Sequence, residues 1–162
     1  MMREWVILVV ILRIQVIGVC AADGPVVRST LAFYGSGWQT WMIDAEALQV
    51  TYDPNQITYR QLLEFLYKMH DPTTANRQGP DTGSQYRSAI FYHDAEQEGV
   101  AREVTKAVNE KWWKGKVVTE ILPAGEWWDA EAYHQKYLDV NPGGYECPSH
   151  FLRSFPPLDK EL

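Results

Sequence analysis

The chain has 162 residues, of which 46% are hydrophobic and 13% aromatic, enough for one domain with a buried core. This composition excludes extensive disorder. The formal net charge is −6 and no basic cluster is present, which argues against a nucleic-acid-binding surface. Two cysteines, Cys20 and Cys147, argue against a disulfide-stapled secreted scaffold but leave a redox pair open. The four histidines are scattered without metal-ligand spacing, so we expect no metal site.

Residues 1–43 look unlike the rest of the sequence. Within them, residues 5–19 are nearly all apolar and β-branched, but Arg13 interrupts the run, which is short for a membrane span. The small pair Ala21-Ala22 behind an apolar stretch imitates a secretory signal, whereas Glu4 and Arg13 weaken that interpretation. A buried strand of the domain or a non-native leader explains the segment better than a signal peptide. A membrane anchor explains it least well.

A strand and a capped helix are predicted next. Residues 47–52 alternate sufficiently for a strand, and the Asp-Pro-Asn sequence at 53–55 forms a turn. Thr58 and Gln61 have the spacing of a capping box, so we expect a helix to begin there. This helix should stop before the Asp-Pro pair at 71–72. Its apolar face consists of Leu62, Leu63, Phe65, Leu66 and Met69.

The polar segment 71–88 is too long for a simple connection in a compact domain. Its second half, residues 78–88, holds two glycines, a carboxylate (Asp81), a phenol (Tyr86) and a guanidinium, and an apolar strand follows at 89–92. A glycine-rich loop joined to a strand presents polar groups on a rigid edge, where binding and catalytic residues concentrate. Taken alone, the segment is equally compatible with an ordinary turn and a solvated aspartate.

The second half of the chain continues the alternation of helix and strand. Asp94 and Gln97 predict the cap of a second helix that runs to about residue 113. One face of this helix carries Val100, Val104 and Val108. The remaining predicted elements are a strand at 116–122, a short helix at 129–138 and a glycine- and proline-rich tail at 141–148. Strands separated by helices in a chain of this size indicate a compact α+β sandwich.

Several blocks of the sequence resemble, in order, the peptide methionine sulfoxide reductase A family. The most specific is the loop that begins Asn-Arg-Gln-Gly and ends Gln-Tyr-Arg-Ser, at 76–88. The other blocks are 44–47, 52–54, 70–73, 118–121, 133–138 and 141–150. The resemblance covers residues 44–155 and implies a two-layer α/β sandwich around a mixed sheet, incomplete at the N-terminus. It leaves 1–43 as a divergent or non-native segment and 156–162 as a tail.

The resemblance implies reduction of free or protein-bound methionine S-sulfoxide, with thioredoxin as reductant and without a cofactor. A sulfoxide reacts with a thiolate once its oxygen is protonated or strongly hydrogen-bonded. By resemblance, Glu46 is the acid that donates to this oxygen, kept protonated by burial, and Asp81 and Tyr86 orient and polarise the oxygen. Cys147 is the resolving cysteine, which condenses with a sulfenic acid to form a disulfide. We expect Arg87 to form a salt bridge inside the fold.

One family block is missing from the sequence. The family's nucleophile lies in a Gly-Cys-Phe-Trp-Gly stretch, which this chain does not contain. We do not predict Cys20 as the nucleophile, because no aromatic residues follow it and it lies too close to Glu46. Tyr34 precedes Glu46 where the family has a substrate-binding tyrosine, but its surroundings do not match. The expectation is a family member with a replaced or truncated front end. The alternative is an inactive homologue that retains at most sulfoxide binding.

The remaining expectations concern partners and location. The tryptophan pairs 112–113 and 127–128 are expected to be core and rim aromatics, because no basic groove accompanies them. The partners implied are thioredoxin and methionine sulfoxide, with no nucleic acid and no membrane. We expect a monomeric cytoplasmic protein involved in protein repair under oxidative stress. An organellar or membrane-tethered form stays open.

Overall fold

The structure is a computed structural model that describes residues 4–9, 28–34 and 45–158. Side chains are described from residue 45 onward, with the exception of Trp128. Cys20 therefore lies outside the described residues, and Tyr34 is described by its backbone alone.

Three α-helices and eight strands are present in the described part of the chain. The strands are β1 (Glu4–Val9), β2 (Arg28–Tyr34), β3 (Ala45–Tyr52), β4 (Arg77–Gln78), β5 (Asp81–Thr82), β6 (Ala89–Tyr92), β7 (Glu120–Pro123) and β8 (Trp127–Asp129). The helices are α1 (Tyr59–Met69), α2 (Ala95–Lys111) and α3 (Tyr137–Val140), with 3-10 turns at Ser84–Tyr86 and Ala132–His134. No described helix is long and apolar enough to cross a membrane.

Six strands form one mixed sheet in the order β7-β6-β1-β3-β2-β8. Only the β6–β7 pair is parallel, and the other neighbours are antiparallel. Strand β1 lies between β3 and β6, where Leu8 pairs with both Leu48 and Ile90. Part of the apolar run 5–19 is thus a strand of the domain, as one alternative predicted.

The first two helices begin where the sequence predicts. The Gln61 amide donates to Thr58 Oγ1 (3.2 Å) and the Thr58 amide donates to Gln61 Oε1 (2.8 Å), which completes the capping box of α1. The Asp94 carboxylate accepts from the Gln97 amide (2.8 Å) and caps α2. These caps depend on neighbours three residues apart, which is why the sequence reveals them.

The later elements differ from the prediction. The third predicted strand begins only at Glu120, because the Val117 amide donates to the Asn109 side chain (2.9 Å) and the Val118 amide donates to the Pro72 carbonyl (2.8 Å). The predicted helix at 129–138 is divided into a strand end, a 3-10 turn and α3. Lys136 interrupts it with a left-handed backbone (φ +50°).

The core consists of two clusters on opposite faces of the sheet. Successive residues of a strand point to opposite faces, so Leu48, Val50 and Tyr52 share one face of β3 and Ala45 and Ala47 the other. The first face packs with Ile90 and the buried sides of α1 and α2: Leu62, Leu63, Leu66, Ala101, Val104 and Val108. The second packs with Ala89 and Phe91. This arrangement is a two-layer α+β sandwich, which confirms the predicted fold class.

Leu63 provides a test of this core. Its side chain is fully buried (0% exposed), so Leu63→Ala should lower the free energy of unfolding by about 2–5 kcal/mol. Leu152→Ala is the matched control, because Leu152 is 64% exposed and its truncation should cost less than about 0.5 kcal/mol. Urea unfolding of both variants measures the difference. Equal losses would contradict the packing described here.

Candidate active site

A two-stranded ribbon shapes the loop that the sequence singled out. Strands β4 and β5 pair through Arg77 with Thr82 and Gln78 with Asp81. The buried Gln78 side chain accepts from the Asp71 amide (3.1 Å) and donates to the Asp71 carbonyl (2.7 Å). This side chain holds the ribbon against the end of α1. Sequence reasoning did not single out Gln78, although it lies inside the most specific block.

A buried histidine fixes the far end of the loop. His70 Nδ1 lies 2.7 Å from the Leu66 carbonyl, and Nε2 lies 2.7 Å from Ser88 Oγ. Because a carbonyl only accepts, Nδ1 carries the proton and Ser88 donates to Nε2. Ser88 Oγ in turn lies 2.8 Å from Thr119 Oγ1, which leads to β7. Burial lowers the pKa of His70 to about 4, so this imidazole is neutral at pH 7.

Arg87 has the structural role that the sequence predicted. Its Nε lies 3.2 Å from Glu120 Oε2, and its Nη1 donates to the Ser84 carbonyl (3.0 Å). The guanidinium therefore joins the 3-10 turn Ser84–Tyr86 to the start of β7.

Glu46 and Asp81 both lie within electrostatic reach of Tyr86. Glu46 is at the beginning of β3, against which the 3-10 turn carrying Tyr86 packs. Burial raises the pKa of Tyr86, and the Glu46 and Asp81 carboxylates raise it further. All three side chains are half-buried. A phenol with a raised pKa stays protonated at neutral pH and can donate a hydrogen bond to an acceptor such as a sulfoxide oxygen.

Asp81 also accepts a hydrogen bond from Tyr145, a residue that the sequence did not indicate as part of the site. The Tyr145 hydroxyl lies 3.0 Å from Asp81 Oδ2 and 3.1 Å from Oδ1. Partial burial and the Asp81 carboxylate raise the pKa of Tyr145 to about 12. The signal was present, since Tyr145 lies in the family-like block 141–150, but no local pattern indicates that it meets Asp81.

Cys147 lies beside the same carboxylate. Its side chain is buried (1% exposed), and Sγ lies 3.2 Å from Ser149 Oγ and 3.6 Å from the Gln78 carbonyl. Burial raises the pKa of the thiol, an effect that Ser149 opposes and Asp81 reinforces. The thiol is free. The glycine- and proline-rich sequence predicted a mobile tail, but the structure places Cys147 in a docked position, because Tyr145 bonds to Asp81 and the thiol lies against the Gln78 carbonyl.

The chain beyond Cys147 is anchored at the end of α1. The Arg153 guanidinium donates to the carbonyls of His70 (3.1 Å) and Ser149 (3.0 Å), and the Arg153 amide donates to the Lys68 carbonyl (3.0 Å). Carbonyls at a helix C-terminus lack helical partners and favour a cation. Phe155 then stacks on the buried Trp112 with ring centroids 4.9 Å apart. Trp112 is thus a core residue, as the sequence predicted.

The site has no metal-like grouping within the described residues: no cluster of three or more His, Cys, Asp or Glu is placed to hold an ion. Of the predicted residues, Glu46 and Asp81 lie within electrostatic reach of Tyr86, and Asp81 also lies within reach of Cys147.

The family model for peptide methionine sulfoxide reductase matches residues 34–155. The chain belongs to this family. A probable peptide methionine sulfoxide reductase of Schizosaccharomyces pombe is 54% identical over 110 residues, which are 67% of this chain and 65% of that protein. MsrA of Mycobacterium ulcerans is 53% identical over 133 residues, 82% of this chain and 72% of that protein. The match thus spans just under two thirds of the length of the first relative.

Solved structures of the family have the same fold. Mxr1 from Saccharomyces cerevisiae in reduced form superposes with a TM-score of 0.74 at 33% identity, covering 94% of this chain and 93% of that one. Methionine sulfoxide reductase A of Corynebacterium diphtheriae gives 0.75 at 32% identity, over 96% and 84% of the two chains. Mxr1 in complex with Trx2 gives 0.61 at 27% identity, over 94% and 91%. The resemblance drawn from the sequence blocks is confirmed.

Proposed function

We propose that this protein is a peptide-methionine (S)-S-oxide reductase that converts free or protein-bound methionine S-sulfoxide to methionine with thioredoxin as reductant. The observation that carries the proposal is that Asp81 lies within electrostatic reach of both the phenol of Tyr86 and the thiol of Cys147. Family membership supports the reaction, and the complex of Mxr1 with Trx2 supports the reductant.

The chemistry needs proton donors at the sulfoxide oxygen and two thiols. Reduction of one sulfoxide consumes two thiols and yields a sulfide, a disulfide and water. In the proposed mechanism, Glu46 and Tyr86 donate to the S=O oxygen, which makes the sulfur electrophilic. A carboxylate only accepts hydrogen bonds, so Asp81 would orient the neighbouring phenols rather than bind the oxygen directly.

Cys147 is proposed as the resolving cysteine. Attack of a nucleophilic cysteine on the sulfoxide leaves a sulfenic acid on that cysteine. The Cys147 thiol then condenses with it, forming a disulfide and releasing water. A dithiol such as thioredoxin reduces this disulfide by exchange. The family's Gly-Cys-Phe-Trp-Gly block, which would supply the attacking cysteine, is not in the sequence, and the other cysteine, Cys20, lies outside the described residues.

A second candidate is sulfoxide binding without reduction. Two observations favour it: the 162-residue chain contains no Gly-Cys-Phe-Trp-Gly block, and burial raises the pKa of Cys147, which leaves a poor nucleophile. The oxygen-activating groups would then bind a sulfoxide that no thiolate attacks.

The two candidates separate in one experiment. The purified chain is incubated with dabsylated methionine S-sulfoxide and dithiothreitol, with the R epimer as matched control, and calorimetry measures binding of the same compounds. The reductase reading predicts dabsyl-methionine from the S epimer alone. Binding of the S epimer without product would select the second candidate. Absence of both, with no difference from Cys147→Ser, would remove both.

We also propose that the protein acts as a monomer in the cytoplasm. The proposal follows the expectation from the sequence. Fractionation with carbonate extraction tests the location. Protein retained in the carbonate-washed membrane pellet would contradict it.

A further inference from the structure

The segment that carries Cys147 is attached to the ribbon β4–β5 at two points. Tyr145 donates to the Asp81 carboxylate, with the hydroxyl 3.0 and 3.1 Å from its two oxygens. Two residues later, Cys147 Sγ lies 3.6 Å from the Gln78 carbonyl. Asp81 and Gln78 pair with each other in the ribbon, so both attachments use the same cross-strand pair.

Gly79 allows Cys147 to approach the backbone of the ribbon closely. A Cβ on this residue would lie 3.2 Å from Ser149 Oγ and 3.5 Å from Cys147 Sγ. Its backbone has φ +52°, a left-handed conformation that glycine adopts without cost. Because Gly79 has no side chain, Cys147 and Ser149 pack directly against the backbone of the ribbon turn.

Asp81 has two sets of neighbours. Its charge acts on the phenol of Tyr86, and it accepts from Tyr145 on the tail. We propose that Tyr145 is a positioning residue that latches the Cys147 segment onto the sulfoxide-oxygen site through Asp81. While the latch is closed, the thiol faces the ribbon turn and is inaccessible to another sulfur.

Opening requires only a short length of chain to move. Arg153 ties the chain to the end of α1 just beyond Ser149, so release is confined to residues before that anchor. Gly143 has open space around it and Tyr145 is 49% exposed, so the packing that opposes the movement is concentrated at the buried Cys147. Two described contacts with the ribbon hold the segment: the hydrogen bond from Tyr145 to Asp81 and the contact of Cys147 with Gln78 and Gly79.

The latch itself does not depend on turnover. Only the role of Cys147 as the resolving cysteine rests on the proposed function. The test consequently measures exposure of the segment rather than catalysis, so its failure is distinguishable from failure of the proposed reaction.

Hydrogen exchange of the segment tests the latch. The Gly144 and His150 amides donate to the Asn141 and Cys147 carbonyls, and their exchange reports local opening. Tyr145→Phe removes the hydrogen bond to Asp81 and should speed exchange of a peptide covering 141–150 about fivefold. Asp81→Ala should be at least as fast, because Asp81 also acts on the Cys147 thiol. The double variant should be no faster than Asp81→Ala, since the Tyr145 bond is already absent there. Alkylation of Cys147 by iodoacetamide in a Cys20→Ser background should accelerate in Tyr145→Phe by the same factor.

The controls separate local release from unfolding. Tyr133→Phe removes the hydroxyl of a 67% exposed tyrosine and should leave exchange of 141–150 unchanged. Exchange of a peptide from α1 should stay at the wild-type rate in every variant. The proposal is overturned if Tyr145→Phe exchanges within twofold of wild type. It is equally overturned if α1 accelerates in parallel, or if the two single effects multiply in the double variant.

Discussion

Replacing Cys147 by serine is expected to lower thioredoxin-supported reduction of methionine S-sulfoxide by at least about a thousandfold. The reason is that a hydroxyl cannot condense with a sulfenic acid, so no disulfide forms for thioredoxin to reduce. Serine preserves the size of the side chain and its bond to Ser149, so binding of the sulfoxide should change less than about twofold. Turnover coupled to oxidation of reduced thioredoxin measures the first quantity, and calorimetry the second.

Dithiothreitol distinguishes the roles that Cys147 could have. A small dithiol can reduce a sulfenic acid directly, so Cys147→Ser should keep most of its dithiothreitol-supported turnover if Cys147 only resolves. Loss of both activities would make Cys147 the attacking thiol and contradict the resolving role. Cys20→Ser is the matched variant of the other cysteine, and its inactivity would contradict the sequence prediction that Cys20 is not the nucleophile.

Acid is expected to destabilise the fold through two buried histidines. Burial lowers the pKa of His70 and that of His150 from 6.5 to about 4. The unfolded chain therefore binds these protons first as the pH falls. The contribution of the two neutral histidines to the free energy of unfolding is fully present above pH 6.5. It decreases as the pH falls, and the loss levels off below about pH 4. Each histidine should contribute a slope approaching about 1.4 kcal/mol per pH unit. Over the range between the two pKa values this amounts to roughly 3 kcal/mol for each histidine.

The surroundings of each ring explain the direction. His70 Nε2 accepts from Ser88, so a proton there would require this hydrogen bond, and with it the Ser88–Thr119 bond, to reverse direction. Both ring nitrogens of His150 are buried without a hydrogen-bond partner among the described residues, and the Arg153 charge opposes a second positive charge while the Asp81 charge favours it. For both rings the cost of burying a cation exceeds the effect of the nearby groups that favour protonation, so the pKa is lowered.

Urea unfolding between pH 7 and pH 4.5 measures this dependence. His70→Gln and His150→Gln should each reduce the slope of the free energy of unfolding against pH, whatever they cost at pH 7. His93→Gln is the matched control, because His93 is exposed and should leave the slope unchanged. A wild-type slope retained in both buried-site variants would show that other groups cause the acid sensitivity.

A large part of the fold could be predicted from local sequence patterns. The caps of α1 and α2 are formed by residues three apart, and the apolar faces of these helices repeat within a few turns. The start of β7 was placed too early because the amides of Val117 and Val118 bond to Asn109 and Pro72, partners that no window of sequence around them contains. The central place of β1 was likewise open, since pairing partners are chosen by the whole sheet.

By itself the sequence determined the α+β class, the family, and the candidates Glu46, Asp81, Tyr86 and Cys147, because each depends on local pattern or on blocks in a fixed order. Only the tertiary structure decided that Cys147 is docked and buried and that Tyr145 meets Asp81, a residue 64 positions away. The physical reason is that a hydrogen bond between distant segments depends on how the ribbon and the anchored tail are brought together. That placement follows from packing and from the Arg153 anchor at the end of α1, and neither leaves a periodic trace in the chain.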